Sequence, residues 1–364
     1  MANPSLSNAK KAKQDEFYTQ WSDIEAEMNA YLDYDKDVFR DKVVLLPCDD
    51  PEWSNFTKYF ALRFEDFGIK KLISTSYAPN SNMKGAFYEP QPSLFNDINF
   101  DEDLDFNRGK IFVLDGTDHN SDGSVNIDDI KWDYLEGDGD FRSKEITKLR
   151  DEADIVITNP PFSLFREFIS WLDAGDVLFS IIGNMNAVAY KEIFPLIKEN
   201  KIWYGQSIQS GDREFRVPGS YPLEAAGFRT DDEGNNYIKV KGVRWFTNIQ
   251  HGRRHQPLPL MTMEDNLRFN KKVIKNEHSY KTYDNYDAIE VPSTNAIPSD
   301  YEGIMGVPIT FLDKYCPEQF EILGSNSDLA PDFYLDGKKK SGAFYADGKR
   351  LYSRIVIRHK AVHD

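Results

Sequence analysis

The sequence predicts an open α/β fold followed by a separate C-terminal region. Short apolar runs alternate with helix-like segments over about 170 residues, and this alternation is typical of strand–helix–strand units in a parallel sheet. The chain is 40% hydrophobic and 14% aromatic, which is sufficient for a large core in 364 residues. From Gly252 onward the alternation fades. We therefore predict one large domain at 1–250 and a second region at 251–364.

The elements of the first domain follow from the spacing of its apolar residues. Helical spacing, with capping-box spacing of Ser22 and Glu25, predicts a first helix at 19–32. An acidic insertion at 78–135 then interrupts the alternation. The other predicted elements are a strand at 43–46, a helix at 54–68, strands at 71–76, 110–114, 134–135 and 154–158, a helix at 164–172 and a strand at 177–182.

Composition argues against several classes of protein. No apolar run approaches the roughly 18 residues that a membrane-spanning helix needs. Residues 1–13 are polar and lack the apolar stretch of a secretion signal, so we expect a cytoplasmic protein with no membrane contact. The two cysteines, Cys48 and Cys316, lack paired spacing. The cysteines therefore predict neither a disulfide scaffold nor a zinc site.

The charge is unevenly distributed along the chain. The net charge of −16 argues against nucleic-acid binding only if it is averaged over all residues. Residues 89–140 carry 15 acidic and 3 basic side chains, whereas 241–281 carry 9 basic and 3 acidic ones, and 331–364 carry 8 basic and 4 acidic ones. The C-terminal third is therefore the candidate DNA-facing surface, with an ordinary solvated face as the alternative. Its candidate phosphate partners are Arg253, Arg254, Lys271, Lys272, Lys275, Lys338, Lys339 and Lys340.

The motif Asn159-Pro160-Pro161-Phe162 follows directly after the strand predicted at 154–158, at the end of a strand where open α/β sheets bind ligands. The side-chain oxygen of Asn159 and the carbonyl of Pro160 are two nearby acceptors. Together they can hold both hydrogens of a planar amino group while its nitrogen is alkylated, and Phe162 offers a stacking face. The prolines stiffen the loop, and preorganised acceptors lower barriers. The alternative is a simple strand-ending turn.

A series of segments along the chain forms a more specific pattern than this motif alone. The segments are Asp15-Glu16-Phe17-Tyr18-Thr19-Gln20, Cys48-Asp49-Asp50-Pro51, Ser54-Asn55-Phe56, Gly137-Asp138-Gly139-Asp140-Phe141-Arg142-Ser143, 158–165, 196–203, Tyr283-Asp284-Asn285-Tyr286-Asp287 and 306–312. In this order they resemble the EcoRI-type adenine-specific DNA methyltransferases. The likeness covers most of residues 10–325. It implies a methyltransferase fold with a Rossmann-like, mixed, seven-stranded sheet and a C-terminal target-recognition region.

The resemblance also implies the cofactor S-adenosylmethionine, held at three places. The end of the first strand falls where such enzymes bind the methionine end, whose ammonium is a natural partner for a carboxylate. The loop at 137–143 falls where the cofactor's adenine is bound, and the segment at 17–19 lines the other side of the pocket. A satisfied strand-end carboxylate, a turn residue and a helix cap are the corresponding structural alternatives. The implied residues are Phe17, Tyr18, Thr19, Asp49, Asp50, Pro51, Ser54, Asn55, Asp140 and Phe141.

Two departures from the wider methyltransferase pattern stand out. No Gly-x-Gly follows the first strand, so the cofactor expectation depends on the family resemblance and not on a dinucleotide-binding fingerprint. The second strand ends at 74–77 without an acidic residue. The partner of the cofactor's ribose hydroxyls is therefore left open.

The activity implied by the resemblance is methylation of adenine N6 in double-stranded DNA, with the target base flipped out of the helix. Phe162 would stack on that base. A restriction endonuclease would be the functional counterpart of such an enzyme. Amino chemistry alone leaves cytosine N4, RNA adenine and a protein amide open as substrates. A catalytically silent DNA-binding module is a further alternative.

Two acidic motifs suggest competing sites. Residues 118–129 have the ligand and glycine spacing of a calcium loop, but Asp129 replaces the bidentate glutamate and a strand precedes the loop in place of a helix. A polar hairpin loop is the simpler interpretation. Asp332, Asp336 and Lys338 superficially resemble a metal-dependent nuclease site, but their separation in sequence is short.

Overall fold

The structure is a computed structural model that describes residues 19–78, 102–116, 131–209, 212–217, 227–276, 278–335 and 337–360. Phe17, Tyr18 and the candidate calcium loop at 118–129 lie outside these residues. The chain divides into two compact units. Residues 1–187 and 205–249 form the first unit, and residues 188–204 and 250–364 form the second. None of the helices in the described ranges is long and apolar enough to cross a membrane.

A large mixed sheet confirms the predicted α/β class. Its strands are β1 (Val43–Leu46), β2 (Lys71–Thr75), β3 (Lys110–Asp115), β4 (Trp132–Tyr134), β5 (Ile155–Thr158), β6 (Leu178–Asn184), β7 (Trp203–Tyr204) and β11 (Val243–Thr247). They lie in the order β4-β3-β2-β1-β5-β6-β11-β7. Strands β2, β1, β5 and β6 are parallel, whereas β3, β4 and β11 run antiparallel to a neighbour. The sheet thus has eight strands where the resemblance implies seven.

Burial explains the short apolar runs of the central strands. Every residue of β5 is buried, and Val44, Leu45 and Leu46 of β1 are inaccessible to solvent. Parallel strands covered on both faces are expected to be apolar throughout. A separate antiparallel sheet of the first unit contains β8 (Asp212–Val217), β9 (Arg229–Thr230) and β10 (Asn236–Lys241), in the order β8-β10-β9.

Helices alternate with the parallel strands, as the sequence predicts. In the described part of the first unit they are α1 (Trp21–Tyr34), α2 (Asn55–Leu62), α3 (Glu102–Asn107), α4 (Lys144–Glu152) and α5 (Phe165–Gly175). The predicted capping box of Ser22 and Glu25 is wrong. Helix α1 begins after Gln20, whose backbone is extended and whose side chain forms no cap. Ser22 therefore already lies within the first helical turn.

The second unit is built on a five-stranded sheet and two hairpins. The sheet contains β12 (Lys281–Thr282), β13 (Ile289–Glu290), β14 (Met305–Pro308), β15 (Phe320–Ser325) and β20 (Arg354–His359), in the order β12-β13-β14-β20-β15. The hairpins are β16 (Phe333–Leu335) with β17 (Lys338–Lys340), and β18 (Tyr345–Ala346) with β19 (Lys349–Arg350). The short helices are α6 (Phe194–Lys198), α7 (Met263–Phe269), α8 (Lys271–Ile274) and α9 (Asn326–Leu329).

The loop at 137–140 packs directly on the end of β2. A Cβ atom at Gly109 or at Gly139 would collide with the backbone carbonyl oxygen of Ser76. Gly139 also has a φ of +79°, which glycine adopts far more readily than other residues. Nearby, the Ala78 N–H donates to the carbonyl of Asp138 at 2.7 Å. Glycine is thus required for the backbone of this loop to approach β2.

We expect Gly139→Ala to destabilise the first unit, because the new Cβ would meet a backbone oxygen and the residue would keep a strained φ. The free energy of unfolding should fall by about 2 kcal/mol or more, as measured by urea unfolding. Gly137→Ala is the matched control, since its Cβ would meet only the flexible Glu145 side chain, at 3.3 Å. Equal stability of the two variants would contradict the packing described.

Candidate active site

Three parallel strands of the first unit end at the same edge of the sheet. The register pairs Leu46 of β1 with Ser74 of β2, and Leu45 of β1 with Val156 of β5. The segments that follow these strands therefore begin side by side. The segment after β1 carries Asp49 and Asp50, and the segment after β5 carries the Asn159-Pro160-Pro161-Phe162 motif.

Asp49 joins these segments through hydrogen bonds. Its side chain is buried, and its two carboxylate oxygens accept from the hydroxyls of Ser54, at 2.7 Å, and Thr158, at 2.5 Å. Its backbone N–H donates to the carbonyl of Thr75 at 2.9 Å, and its carbonyl accepts from the Ser74 hydroxyl at 2.6 Å. Burial raises the pKa of Asp49 to about 7, although the two hydroxyl donors oppose this shift.

Asp50 has a different environment from its neighbour. Its side chain is partly buried, and Oδ1 accepts the backbone N–H groups of Glu52, at 2.9 Å, and Trp53, at 3.1 Å. Burial raises the pKa of Asp50, while nearby Lys110 lowers it. Pro51, between these residues, is buried. The carboxylate therefore fixes the turn that leads from β1 into α2.

A partly buried lysine near Asp50 was not predicted from the sequence. Lys110 Nζ lies 2.7 Å from a carboxylate oxygen of Glu52 and 3.1 Å from one of Asp105, and 4.3 Å from the centre of the Trp132 ring. Burial lowers the pKa of Lys110, but Asp50, Glu52 and Asp105 raise it by more, so the net shift is upward. The one available signal in the sequence was a rare basic residue at the start of a strand within the acidic insertion.

Ser54 and Asn55 lie at the start of α2, and Thr19, which precedes α1, contacts Asn55. The Ser54 hydroxyl caps the helix by accepting from the Phe56 N–H at 3.0 Å. The side-chain amide of Asn55 donates to the carbonyl of Thr19 at 2.8 Å. Thr19 is buried, and its hydroxyl has no hydrogen-bond partner among the described residues. The structure thus brings Thr19 beside the residues that follow β1.

The loop at 137–143 separates its two predicted cofactor residues. Asp140 is partly buried and forms an ion pair of 2.6 Å with Arg142, which also pairs with Glu167 at 2.8 Å. Burial raises the pKa of Asp140, but Arg142 lowers it by more. Phe141 is buried, and its ring centre lies 4.9 Å from that of Phe168. Phe141 therefore packs in the core beneath the loop.

The Asn159-Pro160-Pro161-Phe162 motif lies between β5 and α5, as predicted. Asn159 is partly buried with its amide oxygen shielded from solvent, and Pro160 is buried. The Pro161 carbonyl accepts from the Leu164 N–H at 2.9 Å, whereas no described residue donates to the Pro160 carbonyl. Phe162 begins a short 3-10 helix and packs its ring partly against the core. The two carbonyls of the motif thus have different roles in the loop.

The whole chain is similar to one known family. Residues 5–360 match the family described as the adenine-specific methyltransferase EcoRI. The chain belongs to this family. The matched region includes every described residue at the sheet edge and all of the sheet itself.

Individual members of the EcoRI methyltransferase family extend this likeness over nearly the full chain. The type II methyltransferase M.EcoRI of Escherichia coli is 42% identical over 358 residues, which are 98% of this chain and 97% of the relative. The type II methyltransferase M.MpnI of Mycoplasma pneumoniae is 35% identical, with 98% of each chain covered. M.MgeORF184P of Mycoplasma genitalium is 32% identical, with coverage of 98% and 99%. No solved structure matches the chain significantly.

In this EcoRI-family chain, most of the candidate phosphate partners are exposed. Lys271, Lys272 and Lys275 are exposed in and just after α8, and Lys338 is exposed in β17. Lys340 is partly exposed, as is Arg253. Lys339 is exposed but pairs with Asp332 at 2.7 Å across the first hairpin.

The candidate nuclease motif falls at the same hairpin. Asp332 lies beside it and Lys338 lies in it, whereas Asp336 lies outside the described residues.

Arg254 differs from the other candidates because it is buried. Its guanidinium carbon lies 3.7 Å from the centre of the Trp203 ring, and Nη2 donates to the side-chain oxygen of Asn200 at 2.7 Å. Burial lowers the pKa of Arg254. The side chain therefore packs within the second unit, in a way that sequence spacing could not distinguish from a surface arginine.

We expect Arg254→Ala to destabilise the second unit by about 2 kcal/mol, because it removes the cation–π contact and leaves a cavity beside Trp203. Thermal unfolding followed by circular dichroism measures this effect. Lys272→Ala is the control, and it should change stability by less than about 0.5 kcal/mol because the side chain is exposed. Normal stability of Arg254→Ala, combined with weakened DNA binding, would restore Arg254 as a phosphate partner.

Proposed function

We propose that this protein transfers the methyl group of S-adenosylmethionine to N6 of adenine in duplex DNA. The observation that carries the proposal is the position of Asn159-Pro160-Pro161-Phe162, directly after the Thr158 hydroxyl that donates to Asp49. The motif suited to an amino group thus begins at the residue after Thr158, and Thr158 is hydrogen-bonded to the carboxylate of Asp49, a group suited to an ammonium. Membership of a family described as adenine-specific supports adenine over other amino substrates.

The residues at the end of β1 fit the methionine end of the cofactor. Burial raises the pKa of both Asp49 and Asp50, so a cation bound beside them would stabilise their ionised forms. Asp50 is the more accessible of the two carboxylates, because Asp49 is buried between Ser54 and Thr158. S-adenosylmethionine, when bound, supplies an electrophilic methyl group. The protein's task is to hold the accepting nitrogen in line with that group.

The acceptors of the Asn-Pro-Pro-Phe loop fit the two hydrogens of an adenine amino group. The Asn159 side-chain oxygen and the Pro160 carbonyl would each accept one of them, drawing the nitrogen toward tetrahedral geometry. Phe162 would stack on the base after it leaves the helix, a step that costs a few kcal/mol. The nitrogen would bond directly to the cofactor's methyl carbon as the sulfur–carbon bond breaks, leaving S-adenosylhomocysteine, and one amino proton would then be lost to solvent. No covalent intermediate on the enzyme would be needed.

The C-terminal region, 251–364, is proposed to recognise the DNA target. Its exposed lysines in α8 and β17 suit backbone phosphates, which position a protein on DNA without specifying sequence. We further propose a restriction–modification role with a matching endonuclease, because the similar relatives are named type II methyltransferases.

The proposed reaction is tested by incubating the protein with labelled S-adenosylmethionine and sequence-diverse duplex DNA, followed by mass spectrometry of the nucleosides. We expect N6-methyladenine, and mapping its positions gives the target sequence. Detection of N4-methylcytosine instead would support methylation of an amino group but contradict adenine as the target base. Bound cofactor without any label in DNA would refute DNA as the substrate.

We expect Asn159→Ala to lose most of its turnover while it still binds cofactor, because the variant lacks one acceptor for the target amino group. A loss of about 100-fold or more in kcat is typical for a preorganised hydrogen-bonding group. Single-turnover methylation and calorimetry with S-adenosylhomocysteine measure the two properties. Asn276→Ala is the control, since the Asn276 side chain forms no hydrogen bond among the described residues. Normal turnover of Asn159→Ala would remove Asn159 from the mechanism.

We expect the affinity for S-adenosylhomocysteine to rise about tenfold or more between about pH 5.5 and 7.5. The pKa of Asp49 is raised to about 7 in the free protein. A bound ammonium favours the carboxylate and lowers that pKa, so binding strengthens as Asp49 ionises. Calorimetry across this range measures the effect, and Asp49→Asn should bind more weakly and with a smaller pH dependence, since only Asp50 then remains to titrate beside the ammonium. The same pH dependence in Asp49→Asn would assign it to another group.

A further inference from the structure

The end of the second unit is the most basic described part of this acidic chain. Residues 337–360 carry 8 lysines and arginines and one acidic residue, Asp347, in a chain whose net charge is −16. This segment includes β17 and the whole of the second hairpin, β18 with β19. A local excess of positive charge within an acidic protein points to a polyanionic partner.

Ion pairs divide these cations into two groups. Lys339 pairs with Asp332 at 2.7 Å, Arg354 with Glu290 at 2.6 Å and Arg358 with Glu321 at 2.7 Å. In contrast, Lys338, Lys349 and Arg350 are exposed and form no ion pair with any described residue. Lys340, which is partly exposed, and Lys360, which is exposed, likewise form no ion pair with any described residue. These five cations are therefore available to an external anion.

The turn of the second hairpin lies beside the end of the first hairpin. A Cβ at Gly348, next to Lys349 in sequence, would lie 3.9 Å from the Leu335 side chain. Leu335 is in turn the strand partner of Lys338. Lys338 in the first hairpin and Lys349 and Arg350 in the second thus flank the place where the two hairpins meet, and positive charge from both hairpins there favours a polyanion.

The second hairpin is held in place by buried packing and side-chain amides. Phe344, just before β18, stacks on Tyr283 with ring centres 4.6 Å apart. The Asn285 amide donates to the carbonyl of Ala343 at 3.0 Å, and its oxygen accepts from the Tyr345 N–H at 3.1 Å. At the turn, the Gly348 N–H donates to Asp284 at 2.8 Å. The 283–287 segment that resembles the family thus preorganises the hairpin.

Two exposed tyrosines accompany the cations. Tyr334 in β16 is 69% exposed, and Tyr352, just after β19, is 90% exposed. Tyrosine offers a flat apolar ring with a polar end, and it contacts nucleic-acid backbones through both. Exposed large aromatic side chains beside unpaired cations are suited to a partner that presents phosphates and sugars together.

We propose that a two-hairpin surface, defined as Tyr334, Lys338, Lys349, Arg350 and Tyr352, binds the sugar–phosphate backbone of duplex DNA. The inference rests on the proposed function and deepens it by naming a contact surface for the substrate. Lys338, Lys349 and Arg350 neutralise phosphates, and the rigid second hairpin fixes their spacing. The surface positions the protein on DNA and does not read the sequence.

The test is fluorescence anisotropy with a labelled duplex that the wild-type protein methylates, between about 50 and 200 mM salt. Lys349→Ala/Arg350→Ala should weaken binding about tenfold at low salt. Loss of two phosphate contacts should also lower the slope of log K against log salt by about 1.8. The rate at saturating DNA should be unchanged, because neither residue belongs to the catalytic edge.

A matched control removes two charges elsewhere. Lys36→Ala/Lys70→Ala changes two exposed lysines that precede β1 and β2, at the sheet edge opposite the candidate active site. This variant should keep the wild-type affinity and slope. Equal weakening of both double variants would overturn the surface in favour of a general effect of net charge.

Substitutions of Tyr352 provide an independent test of the same surface. Tyr352→Ala should weaken binding without changing the salt slope, because the ring contributes contact and no charge. Tyr352→Phe should bind more tightly than Tyr352→Ala, because it keeps the ring and loses only the hydroxyl contact. Methylation of DNA by a Lys349→Ala/Arg350→Ala variant with unchanged affinity and slope would overturn this inference alone. Absence of DNA methylation by the wild-type protein would overturn the proposed function.

Discussion

The buried carboxylate of Asp49 is the interaction on which the sheet edge depends. Removing a carboxylate from water costs several kcal/mol unless hydrogen bonds replace its solvation. Here the replacements come from Ser54 on one side and Thr158 on the other. The start of α2 and the end of β5 are consequently held at fixed positions around β1. Asn159 follows Thr158 directly, so the geometry of the Asn-Pro-Pro-Phe loop is tied to the same carboxylate.

Opposite charges are distributed differently in the two units. In the first unit, the partly buried Lys110 compensates a cluster of carboxylates that includes Glu52 and Asp105. In the second unit, many cations are compensated by single carboxylates, and Arg254 is stabilised by an aromatic ring and an amide. Only some of the basic residues counted in the sequence are therefore available for a partner. Net charge alone conveys little about where an acidic protein can meet an anion.

The sequence predicted the parallel strands, the helices between them and the position of the Asn-Pro-Pro-Phe loop, because buried apolar runs and turn residues are local signals. It did not predict the Lys110 cluster or the burial of Arg254, since both depend on contacts between distant segments. The capping box at Ser22 was wrong because the spacing fits more than one helix start. Roles such as that of Asp140 stay predictions, as they depend on a ligand that sequence patterns cannot position.

The carbonyl oxygen of Ser76 lies against two glycines, Gly109 and Gly139, from segments 30 residues apart in sequence. No neighbouring side chain can be trimmed to admit a larger residue at either position, because the obstacle is main chain. Substitutions that shorten neighbouring side chains, which often restore packing in crowded cores, therefore cannot relieve the contact with this carbonyl. An engineer who wished to alter the nearby loop could vary Asp138 or Asp140 separately, but the two glycines would have to be kept. The contact of Gly109 and Gly139 with the Ser76 carbonyl therefore limits how this loop can be redesigned, whatever ligand it binds.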